Sequence, residues 1–178
     1  MKKITLHDKT FVLSIANDDI QKAIAKVAQQ INADMAGENP LFISLLNGAF
    51  MFTADLLKLM DMVCEVSFIK YSSYAGTQST GKVTELIGLN TDIKNRTVII
   101  LEDIIDTGAT IARLLEDLAR LSPKTVKIAT MLYKPAAFRE NFKIDYVGME
   151  IPNDFIVGYG LDYDEIGRNL RDIYVLDK

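Results

Sequence analysis

Three acidic residues and a short turn stand together in the middle of the chain, in an arrangement that could bind a sugar phosphate. Glu102 and Asp103 follow the apolar run 98–101, and Asp106 opens the turn 106–110. Short hydroxyl residues around a glycine at a helix start leave backbone N–H groups free for an anion, which the helix dipole also favours. The adjacent carboxylates suit sugar hydroxyls or a hard cation such as Mg²⁺.

This strand, turn and helix could therefore hold a phosphate, a ribose and Mg²⁺ together. A plainer interpretation is a buried strand with a capped helix behind it. That alternative leaves adjacent acids at a strand end with no ligand, where they would repel each other. The chemical interpretation explains the acids and is the one we prefer.

The pattern of residues 97–110 resembles the ribose-phosphate signature of type I phosphoribosyltransferases. In that signature an apolar strand is followed by two acids, two apolar residues and then Asp-Thr-Gly. From about residue 41 to 176 the sequence also resembles the hypoxanthine-guanine branch of this family. The segments that carry this second resemblance are Leu45-Leu-Asn-Gly48, Ser73-Tyr74 with Gln78-Ser-Thr-Gly81, Lys134-Pro135, and residues 151–162 followed by Arg168.

The resemblance implies a reaction and a cofactor. Phosphoribose is transferred from phosphoribosyl pyrophosphate to N9 of a 6-oxopurine, and pyrophosphate leaves with Mg²⁺ bound to it. Asp106 is expected to accept the purine N7 proton. Glu102 and Asp103 are expected to hold the ribose hydroxyls, directly or through a metal and water. The expected anchor of the 5′-phosphate consists of Thr107, Gly108, Ala109 and Thr110.

Three residues are expected to recognise the purine. Lys134 follows a predicted strand, and its ammonium group is only a donor, so it can bind the O6 acceptor of hypoxanthine or guanine. Phe155 can stack on the purine face. The resemblance implies that the backbone of Ile156 reads the purine edge. The alternatives are a solvated lysine at a strand end and a phenylalanine in the core.

Two segments are expected to bind the pyrophosphate end of the substrate. Leu46, Asn47 and Gly48 resemble the family's pyrophosphate-binding turn, where glycine lets backbone N–H groups approach the anion. In many relatives this turn carries a cis peptide. Asp162 resembles a ligand of the Mg²⁺ that carries pyrophosphate, and Arg168 offers a fork of donors for phosphate oxygens. Arg168 could instead be one exposed charge among several.

Asn47 departs from the family, because relatives often have Lys or Arg at this place. If the backbone binds the anion, Asn is tolerated. If the side-chain charge matters, the affinity for pyrophosphate should be lower, and Arg168 and Mg²⁺ must contribute more. The polar segment 72–82 is either a disordered connection or a lid. As a lid it would bring Ser73 and Tyr74 to the pyrophosphate and exclude water.

Alternating strands and helices must position these residues. A helical stripe predicts a helix over about residues 20–35, capped by Asn17 and ended by Gly37. Further helices are expected over 50–60 and 111–121. The alternation predicts an α/β fold whose mainly parallel, twisted sheet is flanked by helices, with ligands at the carboxyl ends of the strands. The predicted strands are 41–46, 63–71, 83–89, 98–101, 126–132 and 146–151.

The whole chain of 178 residues predicts a single domain, with a core over about residues 15–150. Residues 151–178 are too short for a core of their own, so they are expected to fold back as a hood with the N-terminal segment. Cys64 is the only cysteine, which excludes an intramolecular disulfide and favours a core thiol.

The net charge and the apolar runs of the sequence limit which partners are expected. The net charge of −4, with no block of basic residues, argues against nucleic acid. No leader is recognisable and no apolar run approaches the ~18 residues of a membrane span, which predicts a cytoplasmic protein without membrane contact. The family suggests a homodimer or homotetramer.

Three other functions fit parts of the sequence. The first is transfer to another base, such as xanthine or a pyrimidine, although Lys134 and the segment around Phe155 favour a 6-oxopurine. The second is a non-catalytic regulator on the same scaffold that binds RNA or DNA, which the acidic balance disfavours. The third is an acidic-pocket phospho-signalling domain, whose acids would come from separate strand ends.

Overall fold

Strands and helices alternate along the chain, as the sequence pattern indicates. The computed structural model describes residues 2–72 and 84–177. The elements in this part of the chain are β1 (Lys3–Leu6), β2 (Lys9–Ile15), α1 (Asn17–Asp34), β3 (Leu41–Leu45), α2 (Phe50–Leu57), β4 (Glu65–Ser72), β5 (Thr84–Ile87), β6 (Thr97–Ile105), α3 (Ala109–Ala119), β7 (Thr125–Tyr133), β8 (Tyr146–Glu150), β9 (Ile156–Val157) and β10 (Ile173–Leu176).

The larger of the two sheets has the strand order β5-β4-β3-β6-β7-β8. Its five strands from β4 to β8 run parallel to one another, and β5 pairs antiparallel with β4 at the edge. The predicted mainly parallel sheet is therefore confirmed. Parallel strands bring their carboxyl ends to one edge, so the segments that follow β3, β6 and β7 emerge on the same side.

The central strand β6 shows why helices lie on both faces of this sheet. Ile99 and Leu101 pack into one cluster with α1 and α2, while Val98 and Ile100 pack into another with α3. All four side chains are fully buried. A continuous apolar run of this kind is typical of a parallel strand that is covered on both faces.

The second sheet joins the two ends of the chain, and we call it the hood sheet. Its strand order is β1-β2-β10-β9, and its neighbouring strands are antiparallel. The N-terminal segment was expected in the hood, but no strands were predicted there. The division into a core of residues 15–150 and a hood of residues 151–178 stays a prediction.

Several predicted boundaries were wrong. Strand β6 was expected to end at Leu101, but its pairing with β7 continues through Ile105 opposite Tyr133. Helix α2 ends at Leu57 rather than at residue 60, because the N–H of Leu59 already turns back to the carbonyl of Leu56. Strand β4 begins at Glu65 rather than at residue 63. Helix α3 begins at Ala109, inside the predicted phosphate turn.

The predicted cap of α1 was also wrong. Asn17 is the first helical residue, and Ala16 at the cap position makes no side-chain hydrogen bond. The backbone N–H of Asn17 instead donates to Oδ1 of Asp172 at 3.0 Å. A carboxylate from the other end of the chain thus satisfies a free N–H group of the helix. Gly37 does adopt a left-handed backbone, with φ of 80°, just after the helix ends.

We expect Asp172→Asn to lower the free energy of unfolding at neutral pH by about 1–2 kcal/mol. Hydrogen bonds from Lys2 and from the Asn17 N–H hold the pKa of Asp172 below its usual value. A depressed pKa stabilises the fold above the unfolded-state pKa, about 3.9, and this stability is lost as the pH falls through the folded-state pKa.

Denaturant unfolding of both proteins from pH 7 down to pH 3.5 measures this effect. The difference between wild type and Asp172→Asn should be largest near neutrality and shrink below about pH 4. Asp177→Asn removes an exposed carboxylate from the same end of the chain and should change stability by less than about 0.5 kcal/mol. A pH-independent difference at residue 172 would contradict the assigned cause.

Candidate functional site

A small cavity lies at the carboxyl end of β6, where the chain turns into α3. Its volume is about 100 Å³. Six of the residues predicted to bind ribose phosphate line it together. The lining consists of Glu102, Ile104, Ile105, Asp106, Thr107, Gly108, Ala109, Thr110 and Ile111.

The turn in this cavity is shaped by the segment that follows β7. Gly108 has a φ of 91°, and a side chain there would come within 2.7 Å of the Phe138 ring. The N–H of Arg139 donates to the carbonyl of Thr107 at 3.1 Å. Helix α3 starts here without a side-chain cap. As at any helix start, the N–H groups of the first turn have no acceptors within the helix, and that of Ala109 donates to Oγ1 of Thr107 at 3.4 Å. These N–H groups suit an anion.

The adjacent acids of β6 have different surroundings. Glu102 lines the cavity, and its Oε2 is buried with no hydrogen-bond partner among residues 2–72 and 84–177. Burial and the neighbouring Asp103 carboxylate raise the pKa of Glu102 well above its ordinary value. Asp103 is buried, accepts the N–H of Ile104 at 2.9 Å and lies directly against Gly48.

Lys134 and Asp106 form an ion pair at the same edge of the sheet. The Nζ atom of Lys134 lies 3.1 Å from Oδ2 of Asp106. The lysine side chain is only 9% exposed, whereas Asp106 is about half exposed. Lys134 is therefore not a solvated lysine. The N–H of Lys134 also donates to the carbonyl of Ile105, which holds the lysine beside the end of β6.

A second, more open pocket lies between the turn after β3 and the C-terminal segment. Its volume is about 450 Å³, and Leu46, Asn47 and Arg168 are among its lining residues. The peptide bond between Leu46 and Asn47 is cis. Gly160 packs on the carbonyl of Gly48 so closely that no side chain would fit. The structure thus brings the predicted pyrophosphate turn and Arg168 to one pocket.

Arg168 is held in place by two contacts. Its Nη2 lies 2.6 Å from Oδ1 of Asp162, and its Nη1 donates to the carbonyl of Gly160 at 2.9 Å. The side chain is 24% exposed, so it is not one exposed charge among several. Asp162 also accepts the N–H of Glu165 at 2.8 Å. The carboxylate of Asp162 is therefore engaged within its own segment.

The predicted metal ligands are not brought together at one place. Glu102, Asp103 and Asp162 do not form a cluster, since no group of three potential metal ligands occurs within the described ranges. Phe155 is 46% exposed, which excludes the alternative of a core phenylalanine and leaves its stacking on a purine a prediction. Its ring packs edge-on against Tyr163, with centroids 5.9 Å apart.

Three further predictions concern the residues around the purine and the lid. Ile156 begins β9 and pairs with Val175 of the hood sheet. The predicted lid of residues 72–82 begins at Ser72, the last residue of β4, and its remaining residues, including Ser73 and Tyr74, lie outside the described residues.

Four residues of the first cavity's surroundings were not predicted as site residues: the lining residues Ile104, Ile105 and Ile111, and Phe138. Ile104 lines the cavity between the acid pair and Asp106. Ile104 is the first of the two apolar positions that follow the acid pair in the signature, and no contact was predicted for either position. Phe138 packs against Gly108. Nothing in its local sequence indicates this contact, because it depends on how the chain returns after β7.

The sequence and the fold of this chain match those of known proteins. A family model described as "Phosphoribosyl transferase domain" matches residues 15–164. The chain belongs to the phosphoribosyltransferase family. A phosphoribosyltransferase of Bacillus subtilis, the hypoxanthine-guanine phosphoribosyltransferase, is 41% identical over 171 residues, which cover 96% of this chain and 94% of the relative. A hypoxanthine-guanine phosphoribosyltransferase of Streptococcus thermophilus is 43% identical and covers 90% of each chain.

Solved structures of phosphoribosyltransferases have the same fold. A hypoxanthine-guanine phosphoribosyltransferase of Bacillus anthracis superposes with a TM-score of 0.88 at 37% identity, over 93% of this chain and 98% of that one. A bifunctional protein of Listeria innocua, TilS/HprT, is 40% identical over 97% of this chain, which spans only 27% of that relative's length. Within the described part of this phosphoribosyltransferase chain, no helix is long and apolar enough to cross a membrane.

Replacing Glu102 by Gln is expected to stabilise the ligand-free phosphoribosyltransferase by about 1–2 kcal/mol, or to raise its Tm by ~2–8 °C. The amide removes a buried charge that lies beside Asp103 and has no partner on one oxygen. Differential scanning calorimetry measures the change. Glu116→Gln on α3 is the control, because this exposed acid should alter stability by less than about 0.5 kcal/mol. A lower Tm for Glu102→Gln would refute the argument.

Proposed function

We propose that this phosphoribosyltransferase transfers phosphoribose from phosphoribosyl pyrophosphate to N9 of hypoxanthine and guanine, a purine salvage reaction that releases pyrophosphate. The observation that carries the proposal is the Lys134–Asp106 ion pair beside the cavity of residues 102–111. It puts a donor for a purine O6 next to an acceptor for a purine proton. The names of the Bacillus and Streptococcus relatives support the same substrates.

The two pockets suit the two ends of the ribosyl substrate. The 5′-phosphate binds the turn 107–110, where the first N–H groups of α3 and the helix dipole favour an anion. Pyrophosphate binds between Leu46, Asn47 and Arg168, whose guanidinium is already aligned by Asp162. Binding at both ends fixes the reacting carbon between them, which lowers the entropy cost of the reaction.

Bond changes at C1′ define the reaction. The bond from C1′ to the pyrophosphate oxygen breaks as positive charge builds on the ribose ring, and N9 of the purine forms the new bond. Asp106 accepts the N7 proton at its half-exposed carboxylate. Lys134 then donates to O6. Both roles require the Lys134–Asp106 ion pair to open toward the base. Purine atoms then replace Asp106 as the partner of Lys134, and Lys134 as the partner of Asp106.

Glu102 and Asp103 are the residues that fit a Mg²⁺ ion, which would neutralise charge on the leaving pyrophosphate. Mg²⁺ in phosphate sites usually binds one or two carboxylates together with substrate oxygens. The unpartnered buried oxygen of Glu102 suits this use, and a cluster of three acids is not required. Asp162 as a further Mg²⁺ ligand, the homodimer or homotetramer and the cytoplasmic location stay predictions.

Pyrophosphate release in the presence of phosphoribosyl pyrophosphate, Mg²⁺ and each base in turn tests the proposal. Hypoxanthine and guanine should support turnover. Turnover with only xanthine or a pyrimidine would assign the site to another base. No turnover with any base, together with nucleic-acid binding that weakens steeply with salt, would support a non-catalytic regulator instead.

A further inference from the structure

A buried hydrogen bond connects the C-terminal segment to helix α2. The Tyr159 hydroxyl donates to Oδ2 of Asp55 at 2.7 Å, across 104 residues of sequence. Tyr159 is only 2% exposed. Burial, and next the bond to Asp55, raise the pKa of this hydroxyl, so it stays a donor at any physiological pH. The mechanism above makes no use of either residue.

Asp55 is a well-fixed acceptor for this hydroxyl. Nζ of Lys58 lies 2.7 Å from its Oδ1, and Nε2 of Gln21 on α1 donates to its Oδ2 at 3.0 Å. Burial alone would raise the pKa of Asp55, but the hydrogen bonds from Lys58, Gln21 and Tyr159 outweigh it and lower the pKa. Helix α2, which carries Asp55, begins at Phe50, two residues after the pyrophosphate turn.

Tyr159 is the centre of an unusual turn. Gly158, Tyr159 and Gly160 all have a left-handed backbone, with φ of 99°, 50° and 100°. An aromatic residue rarely adopts this conformation, which persists only where its surroundings hold it. The bond to Asp55 and a longer one to the Met51 carbonyl, at 3.5 Å, hold the side chain. The N–H of Tyr159 donates to the carbonyl of Leu170 at 2.8 Å.

This turn determines where Arg168 lies relative to the pyrophosphate turn. Gly160 accepts a hydrogen bond from the Arg168 guanidinium and donates its own N–H to the Arg168 carbonyl, both at 2.9 Å. Gly160 also packs directly on the carbonyl of Gly48. A shift of Tyr159 would therefore move Gly160, and with it the guanidinium, away from residues 46–48.

We propose that Tyr159 and Asp55 are positioning residues that keep Arg168 over the turn of residues 46–48 and thereby set the affinity for pyrophosphate. The inference rests on the proposed function and concerns one end of the substrate only. The purine end depends on Lys134, which is held by Ile105 and Asp106 instead. Loss of the Tyr159–Asp55 bond should therefore weaken pyrophosphate binding selectively.

Tyr159→Phe removes only the hydroxyl and is the first test. The Kd of magnesium pyrophosphate, measured by titration calorimetry, and the KM of phosphoribosyl pyrophosphate should both rise roughly 5- to 30-fold, since a lost hydrogen bond of ~1–2 kcal/mol corresponds to such a factor. The KM of hypoxanthine should stay within about twofold. Equal losses at both ends would indicate a merely structural role and overturn the proposal.

Tyr174→Phe is the matched control. Tyr174 is buried in the hood sheet, and its hydroxyl also donates to a carboxylate, Oδ2 of Asp172 at 3.3 Å. Asp172 also accepts the N–H of Asn17, so this bond connects Tyr174 to the start of α1 and not to the pyrophosphate turn. Pyrophosphate affinity in Tyr174→Phe should match wild type. A loss as large as that of Tyr159→Phe would mean that any loosening of the hood sheet has the effect.

Substitution of Asp55 separates the hydrogen bond from the charge. Asp55→Asn retains an acceptor oxygen and should keep pyrophosphate affinity within about threefold, whereas Asp55→Ala should lose as much as Tyr159→Phe. The double variant Asp55→Ala/Tyr159→Phe should be no weaker than either single variant, because both remove the same bond. Additive losses would contradict the proposal.

Titration and turnover of the wild-type protein separate a failure of the proposed function from a failure of the positioning role. If wild type binds no magnesium pyrophosphate and turns over no purine, the proposed function fails and the positioning role fails with it. If wild type binds and turns over but Tyr159→Phe is indistinguishable from it, only the positioning role is overturned.

Discussion

Asp106→Asn is expected to lower kcat for hypoxanthine about 10²- to 10⁴-fold, the usual contribution of a general base. The amide has the shape of the carboxylate but cannot take up the purine proton. The affinity for phosphoribosyl pyrophosphate should change far less, because the turn 107–110 and the pocket at Arg168 are proposed to bind its phosphates. Steady-state kinetics and calorimetry of the variant separate the two quantities.

A matched control for this variant is Asp18→Asn. Asp18 lies in the first turn of α1, and its side chain is 84% exposed, so kcat should be unchanged. If Asp106→Asn keeps more than about a third of the wild-type kcat, another group takes the proton.

Much of the sheet could be predicted because its strands are buried on both faces. Residues 98–101 and 41–46 are continuous apolar runs, and only a covered parallel strand accounts for them. The helices between them follow from the 3.6-residue stripe, as at Ile20, Ile24 and Ile31, which are fully buried. These signals are local, so they can be read without knowing what the chain packs against.

Element ends were less predictable because tertiary contacts decide them. Glu102 and Asp103 looked like the end of a strand, yet β6 continues to Ile105 through hydrogen bonds to β7. Asn17 looked like a helix cap, yet Asp172 provides the acceptor from 155 residues away. In both places a distant backbone or side chain replaces the local partner that propensity predicts.

The candidate site also has one part that the local sequence predicts and another part that depends on contacts between distant segments. The turn 106–110 is one contiguous segment, so its chemistry could be inferred from residue types. The pocket that joins Asn47 to Arg168 could be inferred only from the family resemblance, because the two residues come from opposite parts of the chain. The Tyr159–Asp55 bond had no sequence signal, since an aromatic residue between two glycines does not indicate its partner.

Asn47 is the position in the predicted pyrophosphate turn where this chain departs from the family resemblance. The side chain lines the same pocket as Arg168. If a side-chain charge at this position matters for pyrophosphate binding, Arg168 must contribute more of the attraction to the anion. The contacts from Asp162 and Gly160 hold Arg168 in place for that contribution.

Lys134→Gln is expected to relax the discrimination between 6-oxopurines and adenine. In wild type, adenine should be rejected by several orders of magnitude, because its exocyclic amine would leave a nearly buried ammonium group unpaired. Hypoxanthine and guanine share O6 and should both be accepted. Gln offers an acceptor as well as a donor, so the ratio of kcat/KM for hypoxanthine over adenine should fall by at least about tenfold.

The decisive measurement is kcat/KM for hypoxanthine, guanine and adenine with both proteins. Lys143→Gln serves as the control, because this lysine follows the same strand β7 but is 81% exposed and pairs with Asp145. Its base preference should equal that of wild type. Lys134→Gln should also lower kcat/KM for hypoxanthine, since an amide is a weaker donor to O6 than an ammonium. If wild type uses adenine within about tenfold of hypoxanthine, neither the role of Lys134 nor the 6-oxopurine assignment survives, because both require the buried ammonium to meet an acceptor.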